Sequence, residues 1–395
     1  MTQEMNGLPA FSGAEYYYHG AYPGESGTVT HGFIGVSRSE AEAYLAALLA
    51  AGFSEIAQNE IGSAVFHTLE KKNTRVRVAF YGNLYLLKIV ITENEFFPPK
   101  PEKQEKKVPV SITQIARNGA RIVAPGMCYV VQNGDGSYLL IDSGCANEED
   151  ADNLLAFLEN HNPNGGKPII RAWMITHPHI DHMGMALQFL EKHHAAVELQ
   201  SIAASFPDFD RVTVKHEDVQ KACKPLVDRF RELAATYFPQ AREYSLHAGD
   251  TIYYPGVRMD VLLTHEDFYP GEFAWVNHLS AAWMIRGDER SALILGDCEK
   301  PLCRQMAAAY GSALKCDVLQ LSHHGFNGAC LELYRLADPD ICFFACDKER
   351  FLTDPRTKGE AFGYDFNAYL RNPTIKERRL YHAEETATVL LDAGE

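Results

Sequence analysis

Residues 176–182, which read Thr-His-Pro-His-Ile-Asp-His, constrain this chain more than any other segment. They follow an apolar run typical of a buried strand, and they place three imidazoles and one carboxylate where that strand would end. Imidazole nitrogen suits borderline divalent metals such as zinc, and a carboxylate adds charge and a harder ligand. One ion cannot easily use four side chains at this spacing. His177 and His179 are therefore candidates for one ion, and Asp181 and His182 for a second. The alternative is a polar loop with coincidental histidines.

Three further segments end an apolar, strand-like run in polar residues. Residues 291–297 end in Gly-Asp, residues 317–325 end in His-His-Gly, and residues 139–144 end in Asp-Ser-Gly. Asp297 is placed to bridge two cations, because a carboxylate can offer one oxygen to each. Asp142 could accept a hydrogen bond from a ligand imidazole and so fix the tautomer of that ring. The sequence therefore predicts a metal centre assembled from the ends of several strands.

The overall charge restricts the partners of this chain. It has 52 acidic and 37 basic side chains, which give a formal net charge of −15. Such a molecule repels nucleic acid and anionic membrane surfaces, so we expect a small-molecule substrate and no bulk nucleic-acid binding. No apolar run approaches the roughly 20 residues of a membrane span, so no membrane partner is expected. The sequence does not indicate an oligomeric state.

The cysteines and the first residues indicate the compartment. The chain has nine cysteines, an odd number that cannot all pair in disulfides, and none of them lies in a Cys-x-x-Cys motif. Residues 1–20 lack a basic stretch followed by an apolar one, which is the pattern of a secretory signal. Free thiols in a chain without that pattern are typical of a reducing cytoplasm. We therefore expect a cytoplasmic protein.

The length of 395 residues suggests two domains, and composition divides them. Residues 1–95 predict a small α+β domain of unknown role, with a helix over 37–51 and three or four strands after it. Residues 96–110 are rich in proline and lysine and predict a solvated linker. Residues 111–395 alternate strands and helices, which predicts an α/β domain. Its clearest elements are a hairpin turn at 133–136, a strand at 169–175 and helices at 148–160, 183–193 and 217–237. Pro225 either starts or kinks the last of these helices.

The order of the motifs resembles the metallo-β-lactamase fold family. The pattern is His177-x-His179-x-Asp181-His182, then Gly-Asp at 296–297, then His-Gly at 324–325, and the family's first strand motif matches 141–144. The resemblance covers residues 114–395 and implies a four-layer αββα sandwich. Asn-x-x-Ser at 277–280 and Ser-His-His-Gly at 322–325 are similar to the metallohydrolase domain of the bacterial competence protein ComEC and its soluble relatives. Phe326 departs from that branch, where a small serine usually follows the glycine.

The resemblance also implies a ligand set. The first metal takes His177 and His179. The second metal takes Asp181, His182 and His324. Asp297 bridges the two metals. The family adds one more histidine to the first metal. His278 is favoured for that place because it precedes an apolar strand and lies nineteen residues ahead of Asp297. The other candidates are His193, His194, His216, His247 and His265.

Two residues carry the expected catalytic roles. Asp181 would orient the attacking water as well as hold a metal. Three roles are open for His323. It could contact the side chain of a ligand residue, contact the substrate, or exchange roles with His324. It is also the candidate acid for the leaving group. Its neighbour His324 is favoured as the ligand because it directly precedes the glycine.

These residues predict a hydrolase that uses two divalent metal ions, Zn²⁺ first, with Mn²⁺ or Fe²⁺ as alternatives. Metal-activated hydroxide would attack a small phosphodiester or another anionic ester. The alternative substrates on the same core are a lactone, a thioester or a β-lactam. Two other classes remain open, namely a two-iron redox protein and a non-catalytic metal-binding sensor.

Overall fold

The computed structural model describes residues 7–11, 13–14, 16–20, 28–102, 105–117, 126–268, 272–326, 328–354 and 367–392. Its first part is a six-stranded antiparallel sheet in the order β1-β2-β6-β5-β4-β3, with one helix, α1, against it. The strands are β1 Tyr16–Gly20, β2 Val29–Ile34, β3 Ser54–Ile61, β4 Ala64–Lys71, β5 Thr74–Tyr81 and β6 Leu86–Glu93, and the helix is α1 Arg38–Ala50.

Helix α1 confirms the helix predicted over 37–51. Ser37 is its N-cap and accepts a hydrogen bond from the backbone of Glu40, while the Glu40 carboxylate accepts one from the backbone of Ser37 at 2.8 Å. This reciprocal pair satisfies two backbone donors that a helix leaves without intrahelical partners. Tyr44 and Leu48 bury one side of the helix against the sheet.

The segment 96–110 contains no helix or strand among its described residues. It lies against the protein at several points. The guanidinium of Arg242 stands 4.2 Å from the ring centre of Phe96, and Lys106 forms ion pairs with Asp288 at 2.7 Å and Asp392 at 2.8 Å. These contacts differ from the solvated tether expected from its composition, because Phe96 and Lys106 hold the segment in place. The division of the chain into domains stays a prediction.

The second sheet has eight strands and the third has seven. The second runs β13-β12-β10-β9-β8-β7-β21, with β11 beside β10, and the third runs β14 to β20 in chain order. In each sheet one half is antiparallel and the other half parallel. Their strands are β7 Ser111–Gln114, β8 Cys128–Gln132, β9 Tyr138–Asp142, β10 Ile169–Ile175, β11 Glu198–Leu199, β12 Ser201–Ala204, β13 Arg242–Ser245, β14 Thr251–Tyr254, β15 Val257–Leu263, β16 Ala282–Arg286, β17 Ser291–Ile294, β18 Val318–Gln320, β19 Ile341–Phe343, β20 Arg379–Tyr381 and β21 Ala387–Leu390.

Three buried clusters hold these sheets and their helices. One contains residues of both sheets, such as Ile141 of β9 and Trp283 of β16. Another joins β10 to helices through Trp173, Phe189 and Phe230, and a third joins helices and strands of the third sheet. The helices are α2 Glu148–Asn160, α3 Ile180–His193, α4 Val219–Ala222, α5 Lys224–Tyr237, α6 His265–Phe268, α7 Lys300–Tyr310, α8 Leu331–Ala337, α9 Lys348–Thr353 and α10 Ala368–Arg371.

The antiparallel sheet shares the third of these clusters. Phe66 and Tyr81 of that sheet pack with Tyr310 of α7, with ring centres 5.5–6.5 Å apart. Buried ion pairs lie beside this apolar contact, among them Arg77 Nε to Asp250 Oδ1 at 2.8 Å. The sheet is therefore fixed on the rest of the chain by a common core as well as by charge.

The helix predicted over 217–237 is two helices, α4 and α5, which meet at Cys223. Pro225 stands in the first turn of α5, where its missing N–H costs no hydrogen bond. It therefore starts a helix, which is one of the two alternatives that the sequence predicts for it. Glu217 precedes both helices. The predictions for 148–160 and 169–175 are confirmed by α2 and β10, whereas α3 begins three residues earlier than predicted. In the described part of the chain, no helix has the length and apolar character needed to cross a membrane.

Candidate metal centre

The site lies at the carboxyl ends of four strands. In the second sheet β9 and β10 are parallel neighbours, and in the third sheet β17 and β18 are parallel neighbours. Asp142 is the last residue of β9, and the histidine run follows β10. Asp297 follows β17, and the turn Ser322–Gly325 follows β18. Parallel neighbours end at the same edge of a sheet, so polar residues that are distant in sequence meet there.

Two groups of side chains at this edge could each hold a cation. The first group is His177, His179 and Asp297, and the second group is Asp181, His182 and His324. Within each group the potential ligand atoms lie within 4.8 Å of one another. Asp297 Oδ2 also lies 3.4 Å from His182 Nε2 and 3.3 Å from His324 Nε2. The same oxygen is 3.9 Å from His177 Nε2. Asp297 therefore stands between both groups, which is the place that a bridging carboxylate needs.

The residues of these groups fit divalent cations. His182 Nε2, His324 Nε2 and Asp297 Oδ1 are buried and have no hydrogen-bond partner in the described part of the chain. Leaving a buried polar atom unsatisfied costs about 1–3 kcal/mol, so three of them close together indicate a ligand that completes them. Imidazoles combined with carboxylates suit zinc, manganese or iron.

The electrostatics of the centre hold Asp297 and His177 in the forms that bind metals. Burial opposes ionisation of Asp297, but His324 and His182 outweigh it and hold its pKa well below the usual value. Burial and the neighbouring His182 lower the pKa of His177 well below its usual value. Asp297 is therefore a carboxylate and His177 a neutral imidazole, which are the forms that coordinate metal. Burial opposes protonation of His182 and His324, but nearby carboxylates outweigh it and raise the pKa of both, so a cation would replace a proton on each of these rings.

Asp142 orients one of the candidate ligands. Its Oδ2 lies 2.8 Å from His182 Nδ1, and its Oδ1 accepts a hydrogen bond from Thr176 N at 2.8 Å. The Thr176 hydroxyl donates a further bond to Oδ2 at 2.7 Å. The carboxylate accepts, so His182 donates from Nδ1 and turns its Nε2 toward the other ligand atoms. This is the contact that the sequence predicts for Asp142.

Glu217, which no sequence pattern indicates, orients a second candidate ligand. His179 presents Nδ1 at 2.9 Å from His177 Nε2, and its Nε2 lies 3.0 Å from Glu217 Oε2. The other oxygen of Glu217 accepts a hydrogen bond from Val276 N at 2.8 Å. Burial opposes ionisation of Glu217, but these two hydrogen bonds outweigh it and lower its pKa. No local pattern marks this residue, because it falls at the start of a segment that reads as helix.

Among the described residues, His278 belongs to neither of the two ligand groups. Its Nδ1 accepts a hydrogen bond from Ala274 N at 3.3 Å, and its Nε2 lies 3.2 Å from Glu299 Oε2. The other candidate histidines also lie elsewhere. Their neighbours are Asp152 for His193, Tyr237 for His194, Trp275 for His216, Glu95 and Glu266 for His247, and Ser205 for His265.

The turn after β18 separates the roles of its two histidines. His323 and His324 have φ of 50° and 58°, a left-handed conformation that non-glycine residues rarely adopt. Such strain is common at functional sites. The turn brings His324 into the second group, while His323 Nε2 lies 3.4 Å from Asn277 Nδ2. Burial lowers the pKa of His323 and keeps its ring neutral.

Two exposed apolar side chains adjoin residues of the centre in sequence, one beside the backbone that bonds Glu217 and the other within the histidine run. Trp275 directly precedes Val276, is 43% exposed and packs against His216, with ring centres 4.5 Å apart. Ile180 lies within the histidine run and is 50% exposed. Apolar side chains beside a polar centre are typical of sites that bind small organic molecules.

Comparison with known families identifies part of the chain. Residues 121–221 match the family model of the metallo-beta-lactamase superfamily. This range contains Asp142, the histidine run and Glu217, whereas Asp297 and His324 lie beyond it. No curated protein sequence matches the chain at a significant level.

Several solved structures are similar to the chain at low identity. The metallo-beta-lactamase fold protein YhfI from Bacillus subtilis is 14% identical with a TM-score of 0.41, and the match covers 71% of this chain and 99% of that one. Unliganded yeast PDE1 is 14% identical with a TM-score of 0.44, with 72% and 100% covered. CmlA, a diiron beta-hydroxylase from Streptomyces venezuelae, is 13% identical with a TM-score of 0.40, with 78% and 56% covered.

Similarity at this level does not bear on activity or substrate. The comparison therefore gives one family match, over residues 121–221, and the structure gives two His/Asp groups that could hold metal ions. Residues 121–221 match the metallo-beta-lactamase superfamily, and the described chain has an α/β fold with two mixed sheets preceded by an antiparallel sheet.

Proposed function

We propose that this chain is a hydrolase that binds two divalent metal ions and cleaves a small phosphodiester or another anionic ester. The observation that carries the proposal is the position of Asp297 between two groups of buried ligands. A side chain in that place can hold two cations close together. Two cations lower the pKa of a water molecule toward neutrality and polarise an oxygen of the substrate.

The side chains of the chain have distinct parts in this proposal. Asp181 belongs to the second group, where its Oδ2 lies 3.2 Å from His324 Nε2, and its Oδ1 lies 4.0 Å from His182 Nε2. It is therefore placed to hold a cation and to orient the attacking water. Asp142 and Glu217 fix the rings of His182 and His179, which limits the geometry available to the ligands.

The substrate class follows from charge and from the resemblance. A formal net charge of −15 favours a small anion held at the metal centre over a long polynucleotide. The similarity of the 277–280 and 322–325 motifs to the ComEC-like branch favours a phosphodiester. The four-layer αββα arrangement belongs to the same proposal and is supported by the buried clusters on the two large sheets. A cytoplasmic location and a small-molecule substrate complete the proposal.

Turnover with defined metals tests the proposal. The chain is purified, loaded with zinc or manganese and assayed with bis(p-nitrophenyl) phosphate and with a panel of lactones, thioesters and β-lactams. We expect phosphodiester turnover with at least one metal and its loss in Asp297→Asn, which weakens the shared ligand. Absence of phosphodiesterase activity with both metals would overturn the phosphodiester assignment. Turnover of a lactone, thioester or β-lactam would then assign the same centre to that substrate, and inactivity on every substrate would favour a sensor.

A further inference from the structure

A line of hydrogen bonds runs from His278 to His323 beside the metal centre. It contains four side chains that do not belong to either ligand group: His278, Glu299, Asn277 and His323. Adjacent members lie 3.2, 3.3 and 3.4 Å apart. The direction of each bond can be derived, because a carboxylate only accepts hydrogen bonds and a backbone N–H only donates them.

The first part of the line fixes the proton of His278. Ala274 N donates to His278 Nδ1 at 3.3 Å, so this nitrogen carries no proton. The neutral ring therefore carries its proton on Nε2 and donates it to Glu299 Oε2. This arrangement engages both ring nitrogens of His278 and explains why the residue lies outside the ligand groups.

The second part fixes the proton of His323. Glu299 Oε1 accepts from the Asn277 amide at 3.3 Å, so the nitrogen of that amide, and not its oxygen, must face the carboxylate. The same NH₂ group faces His323 Nε2 at 3.4 Å and donates its second hydrogen there. Because His323 Nε2 accepts, the proton of the neutral ring is on Nδ1.

The last two members of the line each have one polar atom that lacks a partner in the described part of the chain. These atoms are His323 Nδ1 and Asn277 Oδ1, and both are buried. One is a donor and the other an acceptor. The backbone N of His323 donates a hydrogen bond to the carbonyl oxygen of Gly296 at 3.1 Å. Gly296 directly precedes Asp297, so His323 lies beside the ligand groups. His323 Nδ1 is therefore a buried donor beside these groups, and an oxygen atom of a ligand would satisfy it.

We propose that Asn277, Glu299 and His278 are positioning residues that keep the proton of His323 on Nδ1, and that this N–H binds an oxygen of the substrate. The inference rests on the proposed function and assigns the substrate contact within the same site. The expected ligand chemistry is an anionic oxygen, such as a phosphoryl oxygen. The contact is a hydrogen bond from a neutral ring and needs no change in the charge of His323.

The position of the proton can be measured directly. Long-range ¹H–¹⁵N spectra of the zinc-loaded, ¹⁵N-histidine-labelled protein report which ring nitrogen carries hydrogen, and loss of a signal in His323→Gln assigns the residue. We expect protonated Nδ1 and unprotonated Nε2 for His323. Asn277→Ala should shift the tautomer balance, and Asn160→Ala, a change of an exposed asparagine, should not. A proton on Nε2 in the wild-type protein would overturn the inference, whatever the folding of Asn277→Ala.

Binding of inorganic phosphate tests the contact independently of turnover. We expect phosphate to move the His323 Nδ1 signal and to bind about tenfold more weakly to His323→Gln, a loss of ~1.4 kcal/mol. The zinc content of this variant should equal that of the wild type. Equal phosphate affinity in both proteins would contradict the contact. Failure of the proposed function alone would appear as a normal phosphate response with no turnover of any ester.

Discussion

Asp142 Oδ2 lies 2.8 Å from His182 Nδ1, and both side chains are fully buried. Strand pairing produces this contact. Strands β9 and β10 are parallel with Ile141 opposite Met174, so the next residue of β9 comes level with the end of β10. The chain then turns into α3, which begins at Ile180 and carries His182 in its first turn. The candidate metal centre thus includes a carboxylate that positions a ligand residue and does not itself belong to a ligand group.

Replacing that carboxylate should weaken metal binding. In Asp142→Asn the amide can no longer accept all the bonds that Thr176 and His182 donate to the carboxylate. We expect zinc affinity to fall about 10–100-fold, the range observed when the partner of a metal-bound histidine is removed. Competition with a chromophoric chelator measures the change, and Asp152→Asn on the surface is the control. Affinities that agree within twofold would show that Asp142 does not position His182.

The carboxylate of Glu217 should affect the other group. A glutamine there can accept from only one of His179 and Val276 N through its amide oxygen, so Glu217→Gln loosens the His179 ring. We expect the zinc affinity of the first group to fall about 10–100-fold while the second is less affected. Zinc titration with two resolved steps measures both, with Glu191→Gln as an exposed control. Equal weakening of both steps would contradict a role specific to His179.

These two carboxylates show what a sequence can reveal about such a site. Asp142 is predictable because it directly ends an apolar strand run, as do the histidine run and Asp297. Glu217 lies 38 residues from its partner His179, in a segment whose periodicity indicates a helix. Its contact depends on where that helix begins and on the backbone of Val276, and neither can be read from spacing.

The same limit applies to His278 and to the linker. The spacing of His278 from Asp297 matches the family pattern, but its ring is held by Ala274 N and Glu299. Hydrogen-bond partners, rather than spacing, decide its role. The segment 96–110 reads as solvated from its prolines and lysines, whereas Phe96 and Lys106 fix it to the surface. Periodic elements such as α2 were predictable because burial imposes their pattern.

Metal content of two histidine variants should separate the ligand from the positioning residue. His278→Gln should still bind two zinc ions per chain, because His278 belongs to neither ligand group of the described chain. His179→Gln should bind fewer, because His179 is a member of the first group. Inductively coupled plasma mass spectrometry on both purified variants measures the ratio. Loss of one zinc ion from His278→Gln would make His278 a ligand.

The interface with the antiparallel sheet should make stability depend on pH. Burial and Arg77 oppose protonation of His247, but Glu266 and Glu95 outweigh them and raise its pKa to about 9. In the unfolded chain the pKa is near ~6.5. A raised folded pKa contributes stability that is complete below about pH 6.5 and is lost as the pH rises through about 9.

Unfolding experiments across that range check the prediction. The free energy of unfolding of the wild type, from urea titrations, should fall between pH 7 and about 9.5. In His247→Gln this part of the fall should disappear, while the exposed control His161→Gln should behave as the wild type does. The same pH dependence in all three proteins would show that His247 does not stay charged between its two carboxylates.

The most direct test of the metal centre is elemental analysis of the chain purified without added metal, together with Asp297→Asn prepared identically. The arrangement of the two groups around Asp297 predicts close to two zinc, manganese or iron ions per wild-type chain and fewer in the variant. Less than one metal ion per wild-type chain after careful handling, or equal content in both proteins, would contradict the two-metal centre.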